Sequence, residues 1–283
     1  MTTRYSIILA DSHGGHRLGL LNPAIGLPDE GPEGQLTYYK PTLTATQAQL
    51  WEWYEQCMAW ARARVNGADV TLIHNGDITS GDKYSEGNVT SRPADQLLIG
   101  AGNLAPWLLW PNVKRVRLIH GTGAHEYGEG SAAYSVAALL QGAFTATDIK
   151  VVRHGLFDLD GVTLDVAHHG PGPGGREWLL GNQLRYYTRS VMLDHIARGQ
   201  RPPDVLIRAH YHTSIQETVR VGQYVTEALL LPGFCGLSHY AVQATRSAYM
   251  LSVGLALIAV EDGRLTAVEP WVRSEDLRTR EAL

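Results

Sequence analysis

The 283-residue chain is poor in cysteine and lysine and has no long apolar run. Its two cysteines, Cys57 and Cys235, are far apart and outside any metal-like spacing, which excludes a disulfide framework. No apolar stretch approaches the roughly 20 residues of a membrane-spanning helix, so no membrane partner is expected. The first apolar run stops at Asp11, too early for the core of a signal peptide, and a cytoplasmic setting is the expectation. Only Lys40, Lys83, Lys114 and Lys150 are lysines among 24 basic residues. No block or stripe of one sign appears, and the net charge of −4 does not draw polyanions, so tight duplex binding is disfavoured. What remains is a globular composition, 44% hydrophobic and 18% charged, long enough for a sizeable core.

Helical and strand patterns alternate early and strands dominate late, which predicts α/β layers around two packed sheets in a single domain over 1–283. The Gly/Pro-rich stretch from His16 to Pro41 reads as an irregular loop insertion at about 16–41. Thr44 and Gln47 form a capping box opening a helix to about Val65, with Leu50, Tyr54, Cys57, Ala61 and Val65 on its buried face. Pro93 to about Ala105 reads as a helix stopped by Pro106, and Ala132–Gly142 as another. Val151–Phe157 and Val162–Ala167 read as a hairpin across Asp160-Gly161. After the loop Gly170–Gly175 a helix runs to about Arg198, and a strand carries Val205–His212. A C-terminal β-hairpin closes the chain at about 249–272, divided at Asp262-Gly263.

Five clusters of metal-ligand residues follow apolar, strand-like runs. Tyr5–Ala10 leads into Asp11-Ser12-His13, Val70–His74 into Asn75-Gly76-Asp77, and Val113–His120 into Gly121-Thr122-Gly123-Ala124-His125-Glu126. Val162–Ala167 leads into His168-His169-Gly170, and Val205–Ala209 into His210-Tyr211-His212. Ligands at the carboxyl ends of buried strands sit where α/β folds place their sites. Carboxylate with imidazole suits Mn, Fe, Zn or Ni better than Ca or Mg. Gly76 lets the backbone come close, so that Asp77 can bridge two ions, and His210 and His212 can face one side of an extended segment. Each cluster alone is weak: with 12 histidines, about half an H-x-H pair arises by chance. A lone buried histidine is commonly a hydrogen-bonded core residue. The weight lies in the order of all five and in their shared placement.

With those residues in view, the chain resembles the calcineurin-like metallophosphoesterase superfamily over positions 5 to about 213. That pattern runs D-x-H, G-D, G-N-H-[DE], H and G-H-x-H, each at a strand end. The resemblance implies a four-layer α/β/β/α sandwich of two mixed β-sheets and two divalent ions. It puts Asp11, His13 and His212 on one ion, Asp77 between the two, and His210 with His168 or His169 on the second. His169 is preferred, because His169-Gly170-Pro171 is similar to the family's H-G-P turn. Ala209 replaces the usual Gly before H-x-H, a minor change. The third motif lacks its Asn. Either Ala124 stands at that position, or Thr122 does with His125 two residues further on; the latter G-T-x-x-H form is similar to phage-associated relatives. Either way the second ion is expected to bind more weakly. His125 survives in both alignments as the general acid, with Glu126 able to orient it.

The expected function is hydrolysis of phosphate mono- or diesters by attack of a metal-bound hydroxide, nucleotides and nucleic acids being among the conceivable substrates. His16 is the candidate phosphate contact near the motif loops, ahead of Arg17, His74, Arg176, Arg185 and Arg189. The alternative is a non-catalytic or weakly active metal-binding interaction or structural protein with a degenerate second site. An amidohydrolase is disfavoured, since its H-x-H comes first along the chain and its Asp late.

Overall fold

The computed structural model describes residues 3–128, 130–174, 179–237 and 249–281; Arg176 lies outside them. Its elements begin β1 (Thr3–Leu9), β2 (Leu27–Glu30), β3 (Leu36–Tyr39), α1 (Ala45–Val65), β4 (Val70–Asn75) and α2 (Pro93–Leu108). There follow β5 (Val113–Ile119), α3 (Ser131–Ala143), β6 (Asp148–Val152), β7 (Gly155–Leu159), β8 (Val162–Val166) and α4 (Asn182–Ala197). The chain continues through β9 (Val205–Arg208), β10 (Ile215–Val221), β11 (Tyr224–Leu230), β12 (Met250–Glu261) and β13 (Arg264–Asp276).

Two mixed sheets form the body, ordered β13-β12-β1-β4-β5-β6 and β10-β11-β9-β8-β7. Successive side chains of a strand point to opposite faces, and here both faces of the larger sheet are buried. Ile7 and Leu9 of β1 pack with Leu50, Tyr54, Leu104 and Val136 of α1, α2 and α3. Ile8 of the same strand, with Ile73, Ile119 and Ile258, meets Val166, Ile207 and Leu229 of the second sheet. Leu184 and Val191 of α4 pack on Leu206 and Leu230 from the far side. Three apolar layers therefore hold an α/β sandwich together.

Several expectations need correction. The 16–41 segment is not wholly irregular, since β2 and β3 pair in it as a short antiparallel hairpin. Val151–Phe157 is not one strand: β6 joins the first sheet and β7 the second, with Arg153 and His154 at the crossing. The turn at Asp160-Gly161 is where expected, and both residues take positive φ. Pro106 does not stop α2, which runs on to Leu108. A proline leaves the carbonyl four residues earlier without its helical donor; that carbonyl, Gly102, accepts instead from the Asn22 side chain at 2.9 Å. The β10–β11 hairpin carries no counterpart in the sequence reading, and the closing hairpin extends to Asp276. The helix opened by the Thr44 cap forms as read, with Leu50, Tyr54, Cys57, Ala61 and Val65 buried.

Candidate metal centre

β1, β4 and β5 run parallel in one sheet, and β8, β9 and β11 run parallel in the other. The loops leaving their carboxyl ends meet, and the expected ligands meet with them. Asp11 and Asp77 are buried, at 0% and 1% exposure. Asp11 Oδ1 lies 3.3 Å from His212 Nε2 and 3.9 Å from His13 Nε2, and those two nitrogens are 3.2 Å apart. Asp77 Oδ2 lies 3.1 Å from His168 Nε2 and 3.9 Å from His210 Nδ1. Asp77 also falls within one ligand group with Asp11 and His168 and within another with His13 and His125, so it stands between the two halves.

The backbone is bent to achieve this. Asp11, His13, Asp77, His210 and His212 all have left-handed φ, between +42° and +76°. Such residues each cost on the order of 1–3 kcal/mol, and they gather where the surroundings hold them for function. β9 ends at Arg208, so His210 and His212 do not flank Tyr211 on an extended segment as expected; two left-handed residues turn their rings toward different halves of the cluster. Gly76, at φ +89°, is required twice over, because a Cβ there would collide with the His168 ring.

Of the two readings of the third cluster, only Thr122 brings a side-chain oxygen into the site. Its backbone N–H donates to Asp77 Oδ1 at 2.6 Å and its hydroxyl to Oδ2 at 3.1 Å. The same hydroxyl stands 3.3 Å from His168 Nε2 and 3.2 Å from His210 Nδ1. Ala124 turns its carbonyl onto Gly81 instead.

His169, preferred as ligand from the sequence, and His168 are placed differently. His168 is buried and donates from Nδ1 to the Asn75 carbonyl at 2.7 Å, which aims Nε2 at Asp77. A second partner that fixes ring and tautomer is how ligating histidines are usually held. His169 is exposed, its ring 4.8 Å from that of His210, and it belongs only to the outer group with His168 and His210.

His125 stacks edge-on to His13 at 4.5 Å between ring centres. Its Nδ1 donates to the Ser80 carbonyl at 2.5 Å, which fixes the orientation of the ring. Glu126 does not orient it: Glu126 accepts from Gly121 N–H at 2.7 Å and Ala133 N–H at 3.2 Å, tying the third cluster to α3. His16 accepts from Leu18 N–H and packs its ring on Gly87. Burial, then the neighbouring Arg17, lower it to about 4, so it brings no positive charge to a phosphate at neutral pH.

Burial alone would raise both carboxylates. The charges of His212 and His168 outweigh it and hold Asp11 near 2, while His168 holds Asp77 well below the usual range. Burial alone would lower His168 and His212, but Asp77 and Asp11 raise His168 to about 9 and Asp11 raises His212. His13 goes the other way, lowered by burial and by His125. Two ionised carboxylates thus stand against the imidazolium proton of His168, which a divalent cation would displace. Asp11 Oδ1 is also a buried oxygen with no hydrogen-bond partner, which a cation would satisfy. Several groups of described residues could hold a metal ion, with His13, Asp77, His168, His210 and His212 among their members.

Cys235 joins His13 and His212 in one such group. The sequence reading passed it over because no strand was assigned to Tyr224–Leu230, whose exit carries it. The apolar run Ala228–Leu231 followed by Pro232-Gly233 was the available signal.

No family model and no curated protein matches the chain. Among solved structures it is similar to a sulfate thiohydrolase, SoxB, of Thermus thermophilus, in complex with glycerol, at 13% identity and TM-score 0.38 over 98% of this chain. The chain spans 57% of that protein's length. It is similar to protein TM1076 of Thermotoga maritima at 13% identity and TM-score 0.31, over 60% of this chain and 86% of that one. It is also similar to nuclease MPE of Pseudomonas putida at 17% identity and TM-score 0.29, over 92% and 85% of the two chains. At these scores none of the three assigns an activity to this chain.

Proposed function

We propose that the chain is a metal-dependent phosphoesterase of the calcineurin-like kind, a single four-layer α/β/β/α domain hydrolysing phosphate mono- or diesters. The observation that carries the reading is the meeting of Asp11, Asp77, His13, His168, His210 and His212 from four strand ends, with Asp11 Oδ1 buried and without a hydrogen bond. Asp11, His13 and His212 would hold one cation, and His168, His210 and the Thr122 hydroxyl the other, with Asp77 shared and His169 at the outer edge. Mn, Fe, Zn or Ni fits these donors. Such a pair of cations supplies an activated water and neutralises phosphoryl oxygens.

The chain's own residues do the rest. The Ser80 carbonyl takes the Nδ1 proton of His125, so Nε2, on the ring beside His13, is the atom that would carry a second proton and deliver it to the leaving oxygen. The Asn75 carbonyl holds His168 by Nδ1 and aims its Nε2 at the space beside Asp77, so the ring's orientation is set before a cation arrives. His16 and the 16–41 segment form a wall for a nucleotide or other ester, His16 as a neutral hydrogen-bonding group. One feature favours the second reading, a weakly active metal-binding protein: a Thr122 hydroxyl stands where the family has an amide, a poorer ligand.

Stripped protein assayed on aryl phosphate mono- and diesters with Mn, Ni, Fe or Zn tests the proposal. Turnover that a chelator abolishes is expected. Tight binding of fewer than one ion per chain without turnover would favour the second reading.

A further inference from the structure

The centre contains a sulfur that the resemblance does not account for. Cys235 is buried, and its Sγ shares a ligand group with the imidazole nitrogens of His13 and His212, all within 4.8 Å of one another. A buried cysteine alone would be a packing residue. Here a second observation points at a ligand. Asp11 Oδ1, fully buried and without a hydrogen bond, faces the same two imidazoles, 3.3 Å from His212 Nε2 and 3.9 Å from His13 Nε2. The same two imidazoles therefore meet an oxygen, Asp11 Oδ1, and a sulfur, Cys235 Sγ.

The backbone is built to keep the thiol there. After β11, Leu231 N–H donates to the Arg208 carbonyl at 2.8 Å, joining the segment to the strand that leads to His210 and His212. Phe234 N–H donates to the Asp11 carbonyl at 3.0 Å, and Gly236 N–H to the Leu18 carbonyl at 2.7 Å, so Cys235 is clamped on both sides to the Asp11–Gly19 loop. Gly233 lies so close to Asp11 that a Cβ would stand 2.7 Å from the Asp11 Cβ. The thiol proton goes to the Gly236 carbonyl at 3.4 Å, leaving the sulfur lone pairs for another partner.

We propose that Cys235 is a fourth ligand of the first cation, completing an oxygen–nitrogen–nitrogen–sulfur set with Asp11, His13 and His212. On binding, the S–H bond breaks, its proton passes to solvent and the sulfur pair goes to the metal. The inference rests on the reading of this cluster as a metal centre and adds what kind of ion it selects. A thiolate favours Zn, Fe(II) or Co(II) over Mg, Ca or Mn. The second site, with Asp77, His168, His210 and the Thr122 hydroxyl, has no sulfur. The two positions are therefore chemically unequal, one softer and tighter, the other harder and more exchangeable.

Cobalt titration of the metal-stripped full chain, followed by ultraviolet and visible absorption, tests this. The first equivalent should bring a thiolate-to-cobalt charge-transfer band together with ligand-field bands. Cys57→Ala should keep the charge-transfer band, and because only two cysteines exist, that variant assigns the band to Cys235 without touching the site. Cys235→Ala should lose the band while binding cobalt, and Cys235→Ser should bind zinc at least roughly tenfold more weakly, no less than loss of an outer hydrogen-bond partner costs such sites. Ligand-field bands without a charge-transfer band in the natural protein, or a band that persists in Cys235→Ala, overturns the inference and leaves the metal centre standing. No cobalt binding at all overturns the centre, and the inference falls with it.

Discussion

In the proposed reaction His125 is the residue that would separate a catalyst from a protein that only stores metal. It touches His13 and takes its orientation from the Ser80 carbonyl, so its removal should spare the ligands. A His125→Ala variant is expected to keep its metal content by elemental analysis and to lose about 10²–10⁴-fold in kcat. Its neighbour Glu126 sets a different expectation. Burial raises its carboxyl from 4.5 to about 6, despite two backbone N–H donors. A folded-state value above the unfolded one gives stability that is full below pH 4.5 and is lost as pH rises through 6. Denaturation in the presence of chelator should show the natural protein losing about 2 kcal/mol relative to Glu126→Gln between pH 4.5 and 7. Which side chains would gather at one place was largely legible, because the residue types that bind hard or borderline ions form a short inventory. Which of His168 and His169 turns inward was not, since it depends on a carbonyl at Asn75, 93 residues away. The left-handed backbone of five site residues was equally invisible, being imposed by the loops around them.

Helix α1 could be read because its determinants are local. Thr44 and Gln47 cap each other reciprocally, and their side chains also reach the Arg17 and His16 carbonyls, fastening the helix to the loop that follows Asp11 and His13. Thr44→Ala should cost about 1 kcal/mol in urea denaturation, a cap's usual worth. Elements governed by distant partners were misread. Pro106 sits inside α2 because Asn22, 80 residues before Gly102, takes the carbonyl that the proline leaves. The run Val151–Phe157 has the composition of one strand, yet it is divided between two sheets that sequence periodicity cannot tell apart. The β10–β11 pair has alternating burial along β10 and a turn at Gly222; missing it hid the loop that carries Cys235. Element type followed local chemistry; membership of a sheet did not.

On the scale of the whole molecule, the two sheets meet through an apolar layer and again at the cluster, where Asp11, Asp77 and Thr122 come from one and His168, His210 and His212 from the other. A cation bound there would tie the sheets together and stabilise only the folded chain. Thermal unfolding should shift upward with Zn or Mn and return with chelator, by about 2.7 kcal/mol per site at a hundredfold excess over Kd. The order of the five clusters anticipated this meeting point, because parallel strands send their carboxyl ends to one edge. Among the described residues no helix is long and apolar enough to cross a membrane. The central claim is hydrolysis of a phosphoester at two cation positions of unequal strength. Its most direct test is the initial rate on an aryl phosphodiester against equivalents of metal bound to the stripped chain. The rate should stay near background through the first equivalent and rise as the second, weaker position fills. A rate that stays at background with both positions filled, or one that chelation leaves unchanged, would contradict the account.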